Sequence, residues 1–98
     1  MEKKEIIEGI LYMLQGATSK FDGRRYKYLQ ILDFLKANNV IVNNLREIIK
    51  EIEDKGLIEE RHFGKEHDDR VDYSIEQKGI DLIKNKRNEL RNKWKLQY

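Results

Sequence analysis

The stretch Ile52-Glu53-Asp54-Lys55-Gly56-Leu57-Ile58-Glu59-Glu60-Arg61-His62-Phe63 changes its period in the middle. Upstream of Gly56, the side chains Leu45, Ile48, Ile49 and Ile52 recur at three- and four-residue spacing. That is one face of a helix, running from about Asn43 to Lys55, and Asn43 or Asn44 can cap it through the side-chain oxygen. Gly56 suits the position just past a helix end, and Leu57 supplies the apolar contact that accompanies such a stop. From Leu57 to Phe63 the residues read as a strand. Gly64 to Asp69 is a polar hairpin loop. In Arg70-Val71-Asp72-Tyr73-Ser74-Ile75, alternation puts Val71, Tyr73 and Ile75 on one face of a second strand.

Working outward, Ile6, Ile7, Ile10, Leu11 and Leu14 form one apolar stripe, so Glu2 to Gln15 reads as a helix that ends at Gly16. Ala17 to Gly23 is a loop. A second helix is expected from about Arg24 to Ala37, apolar over more than half its circumference and therefore central. Asn38-Asn39 then turns the chain, because Asn tolerates the left-handed conformation. A last helix is expected from about Glu76 to near the end, with Ile80, Ile83, Leu90 and Trp94 on one side. Two helices joined by a short turn and followed by a two-stranded hairpin make the winged helix-turn-helix arrangement. The expected fold class is mainly α with a small β-hairpin wing and an extended C-terminal helix. A single domain covers 1–98. Within it, 1–16 is an N-terminal dimerisation helix, 24–56 the helix-turn-helix, 57–75 the wing and 76–98 the C-terminal helix.

Ninety-eight residues, 39% of them apolar, support one modest core. No apolar run approaches the ~20 residues of a membrane span. The first residues lead straight into an amphipathic segment, so no signal peptide is expected and a cytoplasmic, nucleoid-associated location is the expectation. The absence of cysteine excludes disulfide scaffolds and thiolate chemistry. The net charge of +2 hides an uneven distribution. Lys20 to Lys36 carries five positives against two acids, and Ile41 to Glu60 three positives against six acids. Lys84 to Tyr98 carries six positives against one acid, and such a basic stretch suits a polyanion partner.

Two motifs resemble a known group. Ile52-Glu53-Asp54-Lys55-Gly56-Leu57-Ile58 is similar to the stretch that closes the recognition helix and opens the wing in winged-helix regulators. Arg70-Val71-Asp72-Tyr73-Ser74-Ile75-Glu76-Gln77-Lys78-Gly79 resembles their second wing strand and the start of their last helix. Together, over about Gly23 to Gly79, they look like the PadR and MarR transcription regulators. The length, and Gly23 followed by Tyr26, lean toward PadR. Small archaeal winged-helix proteins, including plasmid partition proteins, look similar too. The resemblance implies a dimeric, sequence-specific binder of double-stranded DNA, most simply a repressor-like transcription regulator.

With the third helix as the recognition helix, Asn43, Asn44, Arg46, Glu47 and Lys50 face the major groove. Asn suits adenine, Arg or Lys suits guanine, and Glu can accept from cytosine's amine. Phosphate contacts are expected from Arg24, Arg25 and Lys27 beside the positive end of the second helix. From the wing they are expected of Arg61, Lys65, His67 and Arg70. Ile6, Ile10, Ile83, Leu90 and Trp94 are expected to bury a homodimer interface, since one small domain would struggle to cover the terminal stripes. The basic tail could instead contact phosphate. His62, His67, Asp68 and Asp69 match no strong metal spacing, and neither a metal nor any other cofactor is expected. Ser74 on a polar strand face has no oriented base, and no enzyme activity is expected. No effector pocket is marked. Two alternatives stay open: a partition or architectural protein that coats DNA, and a winged-helix adaptor for another protein.

Overall fold

The computed structural model describes residues 1–16, 24–63 and 70–96. The elements are α1 (Lys3–Gln15), β1 (Tyr26–Lys27), α2 (Tyr28–Ala37), α3 (Leu45–Asp54), β2 (Ile58–Phe63) and β3 (Arg70–Ile75). After β3 come α4 (Gln77–Ile83), a 3-10 turn at Lys84–Lys86 and α5 (Arg87–Lys93). The chain is thus mostly helical, with a small antiparallel sheet in the order β1-β3-β2. Glu60 pairs with Tyr73 and Ile58 with Ile75; Ile58, Tyr73 and Ile75 are buried, and the hairpin packs on α1, α2 and α3. No helix among the described residues is long and apolar enough to cross a membrane.

Two helix ends use the same device. After α3, Gly56 takes φ 74°, its N–H donates to the Glu53 carbonyl, and the Leu57 N–H donates to the Ile52 carbonyl. After α2, Asn39 takes φ 61°, its N–H donates to the Lys36 carbonyl, and the Val40 N–H donates to the Leu35 carbonyl. Both are Schellman stops, with a left-handed residue satisfying carbonyls the helix leaves free. These are the turns expected at Gly56 and Asn38-Asn39. Asn38 adds a clasp: its Nδ2 donates to the Phe34 and Lys95 carbonyls, and its Oδ1 accepts from the Lys95 N–H at 2.8 Å.

The core is built around α1, in which every residue from Ile6 to Gln15 is buried. The helix touches α2, α3, α4, α5 and β3. The expected stripe of α3 is buried in full: Leu45, Ile48, Ile49 and Ile52.

Four expectations are corrected. First, α2 begins at Tyr28, not at Arg24; Tyr26 and Lys27 are drawn out into β1 by pairing with Tyr73 and Asp72 of β3. Second, α3 begins at Leu45, and Asn44 sits at its N-cap without a side-chain bond. Third, the last helix is not continuous: it breaks at Lys84–Lys86 and turns back along α1. Fourth, Ile6, Ile10, Ile83, Leu90 and Trp94 are not left over for a partner. Each is at most 7% exposed within the single chain. One domain covers both terminal stripes because the break lets α5 fold onto α1.

Trp94 closes that fold. Its ring stacks on Phe34 at 5.4 Å between centroids. It also lies directly on Gly9: a Cβ there would come within 2.3 Å of the indole. Four ion pairs or hydrogen bonds from three cations fasten the same layer. Lys86 reaches Glu8 at 2.6 Å and Lys93 reaches Glu5 at 2.6 Å. The Arg87 guanidinium donates to Gln15 Oε1 and to the Gly16 carbonyl at the end of α1, where the helix dipole favours a cation.

Gly9→Ala therefore sets helix propensity against packing. Alanine gains ~1 kcal/mol as a helix former. Overpacking against a fully buried ring costs roughly 1–3 kcal/mol, and here the ring has no room to give. The expected outcome is a net loss of stability in urea unfolding. The loss should shrink when Trp94 is also replaced by Leu, because the two sites share one contact.

Candidate nucleic-acid interface

The polar side of α3 is open. Asn43 and Asn44 in the turn before it, and Arg46, Glu47 and Lys50 along it, are all exposed. The four-residue apolar stripe points inward, so Arg46, Glu47 and Lys50 project from the other side of the helix, while Asn43 and Asn44 border a concavity with Met1, Lys3 and Ile6 at its start. Arg46 is not free to wander: its guanidinium lies 4.2 Å above the Tyr28 ring at the start of α2. Such a contact contributes ~0.5–1 kcal/mol at an exposed site and fixes the direction of the fork. Arg46 also borders a shallow concavity with Lys27, Leu29, Glu60, His62 and Tyr73. The structure thus gathers α3, the start of α2 and the apolar side of the hairpin onto one surface.

The expected phosphate contacts separate into groups. Lys27 is exposed at the N-cap of α2, where its backbone N–H donates to Gln30 Oε1 at 2.8 Å. Arg24, three residues earlier, is also exposed. Arg25 is corrected. It is half-buried, it donates to Ser74 Oγ at 3.0 Å, and Glu59 lies 3.7 Å away. It braces the sheet and lies away from the start of α2. Ser74 is correspondingly buried, not solvent-facing as its place in the alternation suggests. Arg61 is exposed on β2, directly across from Asp72. Lys65, His67, Asp68, Asp69 and the side chain of Arg70 lie outside the described residues.

Sequence reasoning missed one feature of this surface. The Glu53 carboxyl at the end of α3 hydrogen-bonds the Glu60 carboxylate on β2. That bond, together with desolvation and the nearby charges of Glu60 and Asp54, pushes Glu53 up to about 7, against a smaller opposing pull from His62. His62 Nε2 sits 3.2 Å from Glu60. Glu60 also raises the Tyr73 hydroxyl, after burial. No spacing rule marks Glu53 with Glu60, since only the turn at Gly56 brings them together. Among the described residues, no group of three or more His, Asp or Glu could hold a metal ion.

The chain matches no family model, no curated protein and no solved structure.

The carboxyl pair fixes the sign of a pH effect. Glu53 binds its proton more tightly folded than unfolded. Its contribution is complete below its ordinary value of 4.5 and is lost as pH rises through about 7. Glu53→Gln keeps a hydrogen-bond donor toward Glu60 without a titrating group. Relative to the wild type, it should gain thermal stability between pH 5 and pH 8. Because the pair is near the surface the gain should stay below about 1 kcal/mol. Parallel stability profiles for the two proteins across that range would show that no proton is shared.

Proposed function

We propose that this chain is a winged helix-turn-helix protein that binds double-stranded DNA sequence-selectively, with α3 as the recognition helix, and that it acts as a transcription regulator. The observation that carries the reading is the surface of α3. Arg46, Glu47 and Lys50 stand exposed on α3, with Asn43 and Asn44 exposed in the turn that leads into it, while the apolar stripe of the helix is anchored in the core. The element order supports it: α2, a short turn, α3 and then the β2–β3 hairpin, with β1 paired to the far side of β3. Asn43, Asn44, Arg46, Glu47 and Lys50 would read bases. Lys27, Arg24 and Arg61 would meet phosphate, Lys27 standing at a helix start where backbone N–H groups and dipole favour an anion. Two copies would place two α3 helices on half-sites ~10 bp apart. Their contact would use surface other than the five apolar side chains already buried in each chain.

One observation favours a second reading. Leu29 and Ile41 are 66% and 88% exposed, Leu29 beside Arg46 and Ile41 just ahead of Asn43. Exposed apolar side chains at both places suit a protein partner, with the fold serving as an adaptor.

Salt dependence separates the two. For DNA, log affinity should fall linearly and steeply with log salt as counterions are released. Lys27→Ala should reduce that slope by about one while leaving sequence preference intact. Replacing Asn43, Asn44 and Arg46 with alanine should abolish preference for a selected duplex over a random one, at ~1–3 kcal/mol per lost base contact. Arg25→Ala should lower stability with little effect on the salt slope. Failure of the wild type to bind any duplex at low salt would remove the DNA reading and leave the adaptor.

A further inference from the structure

Another face of α3 borders an open groove of about 470 Å³, walled also by α1 and α4. Small-molecule sites fall in the range of roughly 300–1,000 Å³. The apolar part of the groove is formed by Ile7, Leu57 and Leu82. Ile7 and Leu57 are buried, but Leu82 is left 48% exposed, one of the few large apolar side chains the fold does not cover.

Five lysines and two carboxylates line the same groove, an excess of three positive charges. Both carboxylates hold a lysine through one oxygen, although the second oxygen of Glu51, Oε2, is buried without a hydrogen-bond partner. Glu8 holds Lys86 at 2.6 Å, and Glu51 holds Lys3 at 2.8 Å. The Lys3 and Lys55 ammoniums keep Glu51 ionised, below its ordinary range. The remaining lysines, Lys4, Lys55 and Lys78, make no salt bridge among the described residues. An apolar floor under an unbalanced cationic rim has a specific complement. The ligand must carry a hydrocarbon body and one compact anionic head. A bare anion leaves Leu82 wet, and a neutral or cationic amphiphile leaves the lysines unmatched or repelled.

We infer that this groove binds a small amphiphilic anion, a carboxylate on an aliphatic body, with Ile7, Leu57 and Leu82 taking the chain and Lys4, Lys55 and Lys78 the head. The site does not rest on the DNA reading. The groove is built from other residues of α3 than the exposed face, and the binding is read on the free protein.

The probes are octanoate, octan-1-ol, octyltrimethylammonium and acetate, titrated into the full chain and followed by amide chemical shifts. Octanoate should move the amides of Ile7, Leu57 and Leu82 together and saturate. It should bind about tenfold more tightly than octan-1-ol or acetate, since charge-assisted contacts add to apolar burial. Octyltrimethylammonium should bind weakest. Leu82→Asp, and separately the pair Lys55→Glu with Lys78→Glu, should each lower octanoate affinity about tenfold. These positions are exposed, so the circular dichroism of the variants should match the wild type. Equal binding of octan-1-ol would reduce the groove to a greasy patch, and equal binding of acetate would reduce it to ion condensation. No saturable shift with octanoate, or shifts centred elsewhere, would each overturn the assignment.

Discussion

The backbone of Leu57 is where the parts of this molecule are held in register. Its N–H donates to Ile52 and so ends α3; its carbonyl accepts from the Glu76 N–H and so sets the start of α4. The same carbonyl lies so close to Gly79 that a Cβ there would approach to 2.4 Å. One residue therefore fixes how α3 leaves off, where β2 begins and how near α4 can come. The direction of α3, and hence which of its side chains meets solvent, depends on that junction. The requirement is visible in the amino acids: a glycine is needed at 56 for the left-handed turn and another at 79 for the close approach.

The second constraint is the shortage of surface to cover α1. A helix buried along ten consecutive residues needs neighbours on every side. The chain provides them by breaking its last helix at Lys84–Lys86 and bringing back α5 and Trp94. Nothing local announces that break. Lys84-Asn85-Lys86 contains neither glycine nor proline, and the apolar periodicity from Ile80 to Trp94 reads as one stripe. The break is set by long-range partners: Lys86 on Glu8, Arg87 on the end of α1, Lys93 on Glu5. The same contacts recast the basic tail. Three of its cations serve α1, which leaves Lys84, Arg91 and Lys95 for any outside polyanion.

What was legible at the candidate interface follows the same division. The α3 stripe and its polar face follow from a 3.6-residue period, which depends on the helix alone. The turns at Asn39 and Gly56 follow from the conformational range of two residue types. Strand β1 was not legible, because two residues have no period and Tyr26-Lys27 is extended only through its pairing with β3. Arg25 shows the consequence. Read as part of a helix start it faces phosphate; placed ahead of a strand it falls against Ser74 and Glu59 and braces the sheet.

The later half of α3 is where composition misleads most about charge. Glu51, Glu53 and Asp54 read as three negatives close to a surface proposed to meet phosphate. In the folded chain Glu51 is compensated by Lys3, and Glu53 shares a proton with Glu60 up to about pH 7. Below about pH 7, that half and its β2 neighbour then present Asp54 and a single negative charge on the Glu53–Glu60 pair. At an effective dielectric typical of protein surfaces, removing one or two charges within a few ångströms changes the local potential by more than a distant excess on the tail can. A helix that reads as acidic in sequence thus presents less negative charge at its end than its composition suggests. The positive charge of this surface is concentrated at Lys27, Arg46 and Lys50, next to the residues proposed to read bases.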